Sequence, residues 1–264
     1  MDLSVTGPKI YITLNLPFIG PVNILTQTTI TLIVTTVLLI VLASVLTKKL
    51  TKRPSGLQVI VEKLVTMLYN IVEEVMGKHN LKYAPYIGTL FLSSLVGTLL
   101  GMTGILRSST ADLSVPLAWA LVTTGMVWYN SIKANGFGKW LKGFTEPIVV
   151  MTPMNIVSEI AQPISMAFRH FGNMAGGSVL TALIYGALTA ASSLVFGWIP
   201  GAVGQIPFLT AGIPAFLSIY FDLFSGFVQA FVFSLLTMVY VGGACPPPQE
   251  AQLPEEATKV IEAE

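Results

Sequence analysis

Charge is scarce in this sequence. Asp, Glu, Lys and Arg make up only 10% of the residues against 53% hydrophobic ones, and the mean hydropathy is +0.74. A soluble domain of this length could not hide so much apolar surface, so the composition is that of a polytopic membrane protein. The formal net charge of +1 gives no electrostatic footprint for nucleic acid. A single cysteine, Cys245, excludes an internal disulfide and a cysteine-based metal cluster. Metal-ligand spacings, a nucleophile–base pair and a phosphate-cradling loop are also missing. Neither self-contained catalysis nor a bound metal or cofactor is therefore expected. No internal repeat stands out, which weakens an inverted-repeat transporter reading. The first apolar run starts late and lacks the flank and cleavage pattern of a signal peptide, so the chain is read as mature.

Apolar runs and basic clusters then set the organisation. The core of the first run, Ile24 to Thr47, is long enough to cross a bilayer and is followed by KKLTKR at Lys48 to Arg53. Between Ser55 and Lys78, Leu57, Ile60, Leu64, Leu68, Ile71 and Val75 recur at helical spacing, with Glu62, Lys63, Glu73 and Glu74 mostly between them. That pattern predicts an amphipathic interfacial helix. Further spans fit Tyr83 to Leu106 and Val115 to Ile132, with Lys133, Lys139 and Lys142 beyond. Two long apolar arms follow, Pro147 to Pro200 and Gly201 to Gly243, each about twice the ~20 residues of a perpendicular crossing. The stretch WIPGAVGQIPFLTAGIP (Trp198 to Pro214) offers one good turn between them. Two long, strongly tilted helices fit this better than four ordinary spans. The expected fold is all-α and polytopic, with about five membrane-crossing helices plus the interfacial one. It forms a single membrane domain over 1–245, with the hairpin at about 147–243 and a disordered acidic tail at 246–264.

The arms hold few polar groups, and those few are grouped. Arg169 is expected to share its helical face with Ser165 and Met166 below it and with Gly172, Asn173 and Gly176 above it. Glycines there would admit another helix close to the backbone. The nearest carboxylate on the N-terminal side is Glu159, roughly 15 Å away along a helix. Asp222, Ser225 and Gln229 recur at i, i+3 and i+7 and would form a polar stripe on the second arm. Ser178 could extend that patch from the first arm. His170, about 100° around from Arg169, is either a proton relay or a neutral packing group.

At these residues a family becomes recognisable. E-x-x-x-P-x-S-x-x-x-R-x-F-G-N-M, here Glu159 to Met174, resembles the signature of subunit a of the F-type ATP synthase. FDLFSGFVQAFVFSLLTMVYV, FIGPVNILTQT and PMNIVSE are similar to that family too, so the resemblance covers essentially the whole chain. It implies a tilted hairpin clasping a ring of c subunits, held by peripheral-stalk b subunits, with two offset half-channels carrying protons or sodium ions. By position, Arg169 would be the essential charge and Asn173 and Gln229 its polar neighbours. Glu159, Ser178 and Asp222 would fall where channel-lining groups are expected. Two departures stand out. Leucine is more usual at His170, and the Ser178 and Asp222 positions often hold a pair of strongly titratable groups. The resemblance also implies a multi-pass protein of a bacterial plasma membrane. The residues alone leave a stand-alone ion-coupled transporter, or a scaffold-only subunit, open.

Lysine and arginine collect after the first and third spans, which places those segments in the cytoplasm, the N-terminus outside and the C-terminus inside. Cysteine labelling from each side checks this. The tail beyond Cys245 is expected to react only from the cytoplasmic face, and external labelling there would end the odd-numbered topology.

Overall fold

The computed structural model of the chain describes residues 10–16, 20–48, 50–51, 56–103, 106–146, 148–196 and 219–247. The expected turn at Trp198 to Pro214 and the tail from 248 onward lie outside the described residues.

The chain opens on an antiparallel pair, β1 (Ile10–Leu16) and β2 (Gly20–Thr26), that an all-α expectation did not include. Ile, Tyr, Val and Thr crowd this stretch and favour extended backbone. With no charge from Ile10 to Thr47, nothing in the polarity pattern separates it from the span that follows. Helix α1 (Gln27–Thr47) comes next, then α2 (Leu57–Met76). Gly77, at φ +81°, ends α2 and feeds a 3-10 turn, Lys78–Tyr83, that leads into α3 (Ala84–Met102). A side chain there would be strained, and its Cβ would sit 2.9 Å from the His79 ring. After α4 (Ser114–Asn135) and the short α5 (Phe137–Gly143), α6 runs unbroken from Thr152 to Phe196.

At 45 residues, α6 is about 68 Å long, more than twice the ~30 Å hydrocarbon core. The first arm is thus one long helix, as expected, and it continues through Pro163. The described part of the second arm begins with a π-helix, Ile219–Phe224, and continues as α7 (Ser225–Gly243).

Among the described residues, 4 helical stretches are long and apolar enough to cross a membrane: Gln27–Thr47, Lys78–Gly101, Val149–Val195 and Ser225–Gly243. Helix α4 forms where the third span was expected but is not among them, diluted by Thr123, Thr124, Asn130 and Lys133.

Packing divides the chain into two compact units. The first comprises Met1–Val45, Leu90–Trp119 and Ile164–Phe233. Here α1 is turned inside out. Thr28, Thr31 and Thr35 are buried, whereas Ile33, Val37, Ile40 and Val41 are exposed. The threonines repeat at helical spacing and find acceptors inward: Thr28 Oγ1 donates to Asp112 Oδ2 at 3.0 Å and Thr31 Oγ1 to the Arg107 carbonyl at 2.8 Å. In lipid, aliphatic groups gain little by facing one another, so hydroxyls and small residues make the seam instead.

The second unit comprises Leu46–Thr89, Ala120–Pro163 and Ser234–Glu264. Its core joins Val72 and Met76 of α2, Ala84 and Ile87 of α3, and Met238 and Val241 of α7. The C-terminal half of α2 is therefore packed into protein. Only its N-terminal half, with Leu57, Ile60 and Leu64 exposed, keeps the open apolar face expected of an interfacial helix. Tyr83 Oη donates to Asn130 Oδ1 at 2.7 Å, tying α4 to the turn before α3.

Gly226 brings α7 against α3 in the first unit. A Cβ there would lie 2.5 Å from Thr98 Cγ2, and Thr98 is held by its hydroxyl bond to the Ser94 carbonyl at 2.9 Å. Gly226→Ala is expected to destabilise the protein by about 1–3 kcal/mol through overpacking. Gly172→Ala, where the Cβ meets nothing within 4 Å, should fold normally. Thermal unfolding of the two purified variants checks the contrast.

Candidate functional site

Helix α6 presents two different faces around position 169. Met166, Ala167 and His170 are buried, whereas Ser165, Phe168, Arg169, Gly172 and Gly176 are exposed. Residues 165, 169, 172 and 176 follow the three-and-four spacing of one stripe. The stripe is a guanidinium flanked by glycines, and a Cβ at either glycine would meet nothing within 4 Å. Among the side chains that are described, the recorded ion pair joins Lys78 to Glu73, and none is recorded to Arg169.

The two arms meet through polar groups. Ser225 Oγ donates to Asn173 Oδ1 at 2.6 Å, joining α7 to α6 one turn beyond Arg169. The His170 ring meets Phe233 edge-on at 5.4 Å. Contacts that rise from 170 to 173 on α6 fall from 233 to 225 on α7, so the helices are antiparallel here. Gln229, midway between Ser225 and Phe233, then falls between the levels of Asn173 and His170. Gln229 itself is buried, 6% exposed, and its Nε2 has no hydrogen-bond partner.

His170 is packed rather than open. Its Nε2 lies 3.1 Å from Ser94 Oγ, and its ring stands edge-on to Trp119 and Phe233. Nδ1 is buried without a partner. Glu159 belongs to the other unit, where its carboxylate accepts a hydrogen bond from Trp128 Nε1 at 2.5 Å. Trp128 in turn meets Trp140 of α5, with ring centroids 6.3 Å apart.

The side chains of Ser178 and Asp222 lie outside the described residues. Backbone geometry nonetheless revises the stripe expected of Asp222, Ser225 and Gln229. That spacing assumes α-helical rotation, yet Asp222 sits in the π-helix. The wider i→i+5 turn rotates each residue by less than the ~100° of an α-helix, which shifts Asp222 off the Ser225–Gln229 line.

Sequence reasoning missed Ser94, Trp119, Phe233 and Trp128. A signal existed for the first: Ser94, Gly97, Thr98 and Gly101 recur at helical spacing in the otherwise apolar α3.

With this geometry in place, comparison with known proteins is informative. The family model described as the ATP synthase A chain matches residues 28–242. The chain belongs to this family. A relative from Propionigenium modestum, named ATP synthase subunit a, sodium ion specific, is 35% identical over 212 residues, covering 75% of this chain and 66% of its own. ATP synthase subunit a of Desulforamulus reducens is 35% identical over 157 residues, covering 60% and 55%. ATP synthase subunit a 2 of a Bradyrhizobium species is 29% identical over 226 residues, covering 86% and 91%. The chain thus spans just under two thirds of the Propionigenium protein and nearly all of the Bradyrhizobium one. Within the family match fall both polar faces, Arg169 and Asn173 on α6 and Ser225 and Gln229 on α7.

The Asn173–Ser225 bond is expected to contribute about 0.5–1.5 kcal/mol. Stability measured for Asn173→Ala, Ser225→Ala and the double variant should show a coupling of that size. Strict additivity would mean that the two side chains do not hold the arms together.

Proposed function

We propose that this chain is the stator subunit of the membrane sector of a rotary F-type ATP synthase. It guides ions to and from a ring of c subunits, and it makes no ATP itself. The observation that carries the reading is Arg169: a permanent charge on an exposed, glycine-flanked stripe of a long apolar helix, with no ion pair recorded to it among the described side chains. An arginine at mid-membrane depth costs on the order of 3 kcal/mol on insertion scales. Carboxylates of a passing ring would offset that cost in turn.

The mechanism follows from electrostatics. A ring carboxylate opposite Arg169 is stabilised as an anion and releases its ion there. Facing lipid, an anion is penalised, so the carboxylate must carry a proton or a cation. Access from the two sides at offset positions then turns ion flow into rotation. Arginine does not deprotonate in proteins, so it separates the two half-channels and relays nothing. Asn173, Ser225 and Gln229 provide the polar seam beside it. Glu159 supports the cytoplasmic access path, and Ser178 and Asp222 the outer one. His170 packs beside the arginine and is not a relay.

The partners on this reading are the ring, peripheral-stalk b subunits and the bilayer. The location is a bacterial plasma membrane, with the N-terminus outside and the C-terminus cytoplasmic. The Propionigenium relative is named for sodium. The coupling ion is a proton or sodium, chosen by the ring's own carboxylate site.

Arg169→Ala is expected to abolish coupled ATP synthesis and ATP-driven pumping while the complex still assembles. Arg169→Lys should be severely impaired, because a buried ammonium can deprotonate and lacks the planar fork. Synthesis and ion flux in inverted vesicles holding each variant complex measure both. Near-normal coupling in Arg169→Ala would sink the mechanism.

A further inference from the structure

His170 is a buried polar group of the first unit, gripped on several sides. It is 1% exposed, and elements from three other helices close on its ring. Ser94 of α3 meets Nε2 at 3.1 Å, Trp119 of α4 stands at 6.2 Å and 78°, and Phe233 of α7 stands at 5.4 Å and 75°. Ser94 is fully buried as well. The neighbouring residue in sequence, Arg169, lies about 100° around the helix and is exposed.

Filling space does not require this chemistry. Whichever tautomer is present, the buried Nδ1 is left either as an N–H without an acceptor or as a lone pair without a donor. Leaving such a group unsatisfied costs about 1–3 kcal/mol, which an apolar side chain of similar reach would avoid. What the imidazole supplies in return is direction, because a hydrogen bond fixes the rotation of a helix where apolar contacts would let it slide.

We propose that Ser94 and His170 form a rotational lock on α6, two positioning residues that hold Arg169 at the angle where it meets the ring. The proposal rests on the stator reading above. Successive residues on a helix are ~100° apart, so fixing the azimuth of His170 fixes that of Arg169. A side-chain tip lies about 6 Å from the helix axis, and a rotation of about 30° would carry it about 3 Å sideways. That is enough to break a hydrogen-bonded encounter with a carboxylate.

The test uses the assembled complex in inverted vesicles. It compares His170→Gln, His170→Asn, His170→Leu, Ser94→Ala and the Ser94→Ala/His170→Leu double variant. A glutamine amide reaches the place of Nε2, whereas an asparagine amide reaches only that of Nδ1. His170→Gln is therefore expected to keep coupled synthesis within about twofold of the parent. His170→Asn, His170→Leu and Ser94→Ala should each lose about tenfold, the size of one hydrogen bond, with complex yield unchanged. The double variant should be no worse than the worse single one. Equal, near-parental rates in all five would reduce His170 to a packing residue and end the proposal. Equal losses in His170→Gln and His170→Leu would end it too, since the bond at Nε2 would then not be what matters. Arg169→Ala is measured alongside. If coupling survives there, the stator reading itself fails; if it is lost there while the His170 series stays flat, only the lock fails.

Discussion

A guanidinium stays protonated wherever the protein puts it, so something must always solvate Arg169. Water and lipid headgroups could do so near either end of a helix, but α6 continues for more than four turns on both sides of this residue. The surrounding stripe offers glycines and aliphatic groups, which cannot neutralise a charge. Arg169 is thus an exposed charge with no ion pair among the described side chains, and the proposed function rests on it. Satisfying Arg169 internally with a fixed carboxylate would make a stable ion pair and an idle protein.

The rest of the first unit leaves that charge exposed. Gly226 lets α7 approach Thr98 of α3 closely. The Asn173–Ser225 bond ties the two arms one turn from the charge. Thr28, Thr31 and Thr35 of α1 are spent inward, and its outer surface is mostly aliphatic. Polar groups are thus placed where they join helices, and the exposed stripe of α6 keeps its one charge.

Much of this was legible in the sequence for a simple reason: in a membrane, charge and length are severe constraints. The spacing of Arg169, Gly172 and Gly176 predicts their shared face directly, and the exposed residues match it. The continuity of the first arm likewise follows from the lack of any break stronger than Pro163. What depended on partners distant in the chain was not legible. Ser94 lies 76 residues from His170, and no local pattern pairs them. The inward turn of the α1 threonines is invisible to hydropathy, which registers how apolar a helix is but not which side faces protein. The β1–β2 pair hid in an uncharged run, and the π-helix broke a stripe whose spacing presumes uniform rotation. Trp128, an aromatic among many, could not be singled out as the donor to Glu159.

Pro163 adds one more consequence. A proline has no N–H, so the carbonyl four residues earlier loses its usual partner inside the helix. In α6 that carbonyl belongs to Glu159, the residue that also supplies the helix's only carboxylate. Side chain and main chain at one position therefore both offer electron pairs, and the Trp128 N–H satisfies just one of them. The missing bond is where the rod bends most readily.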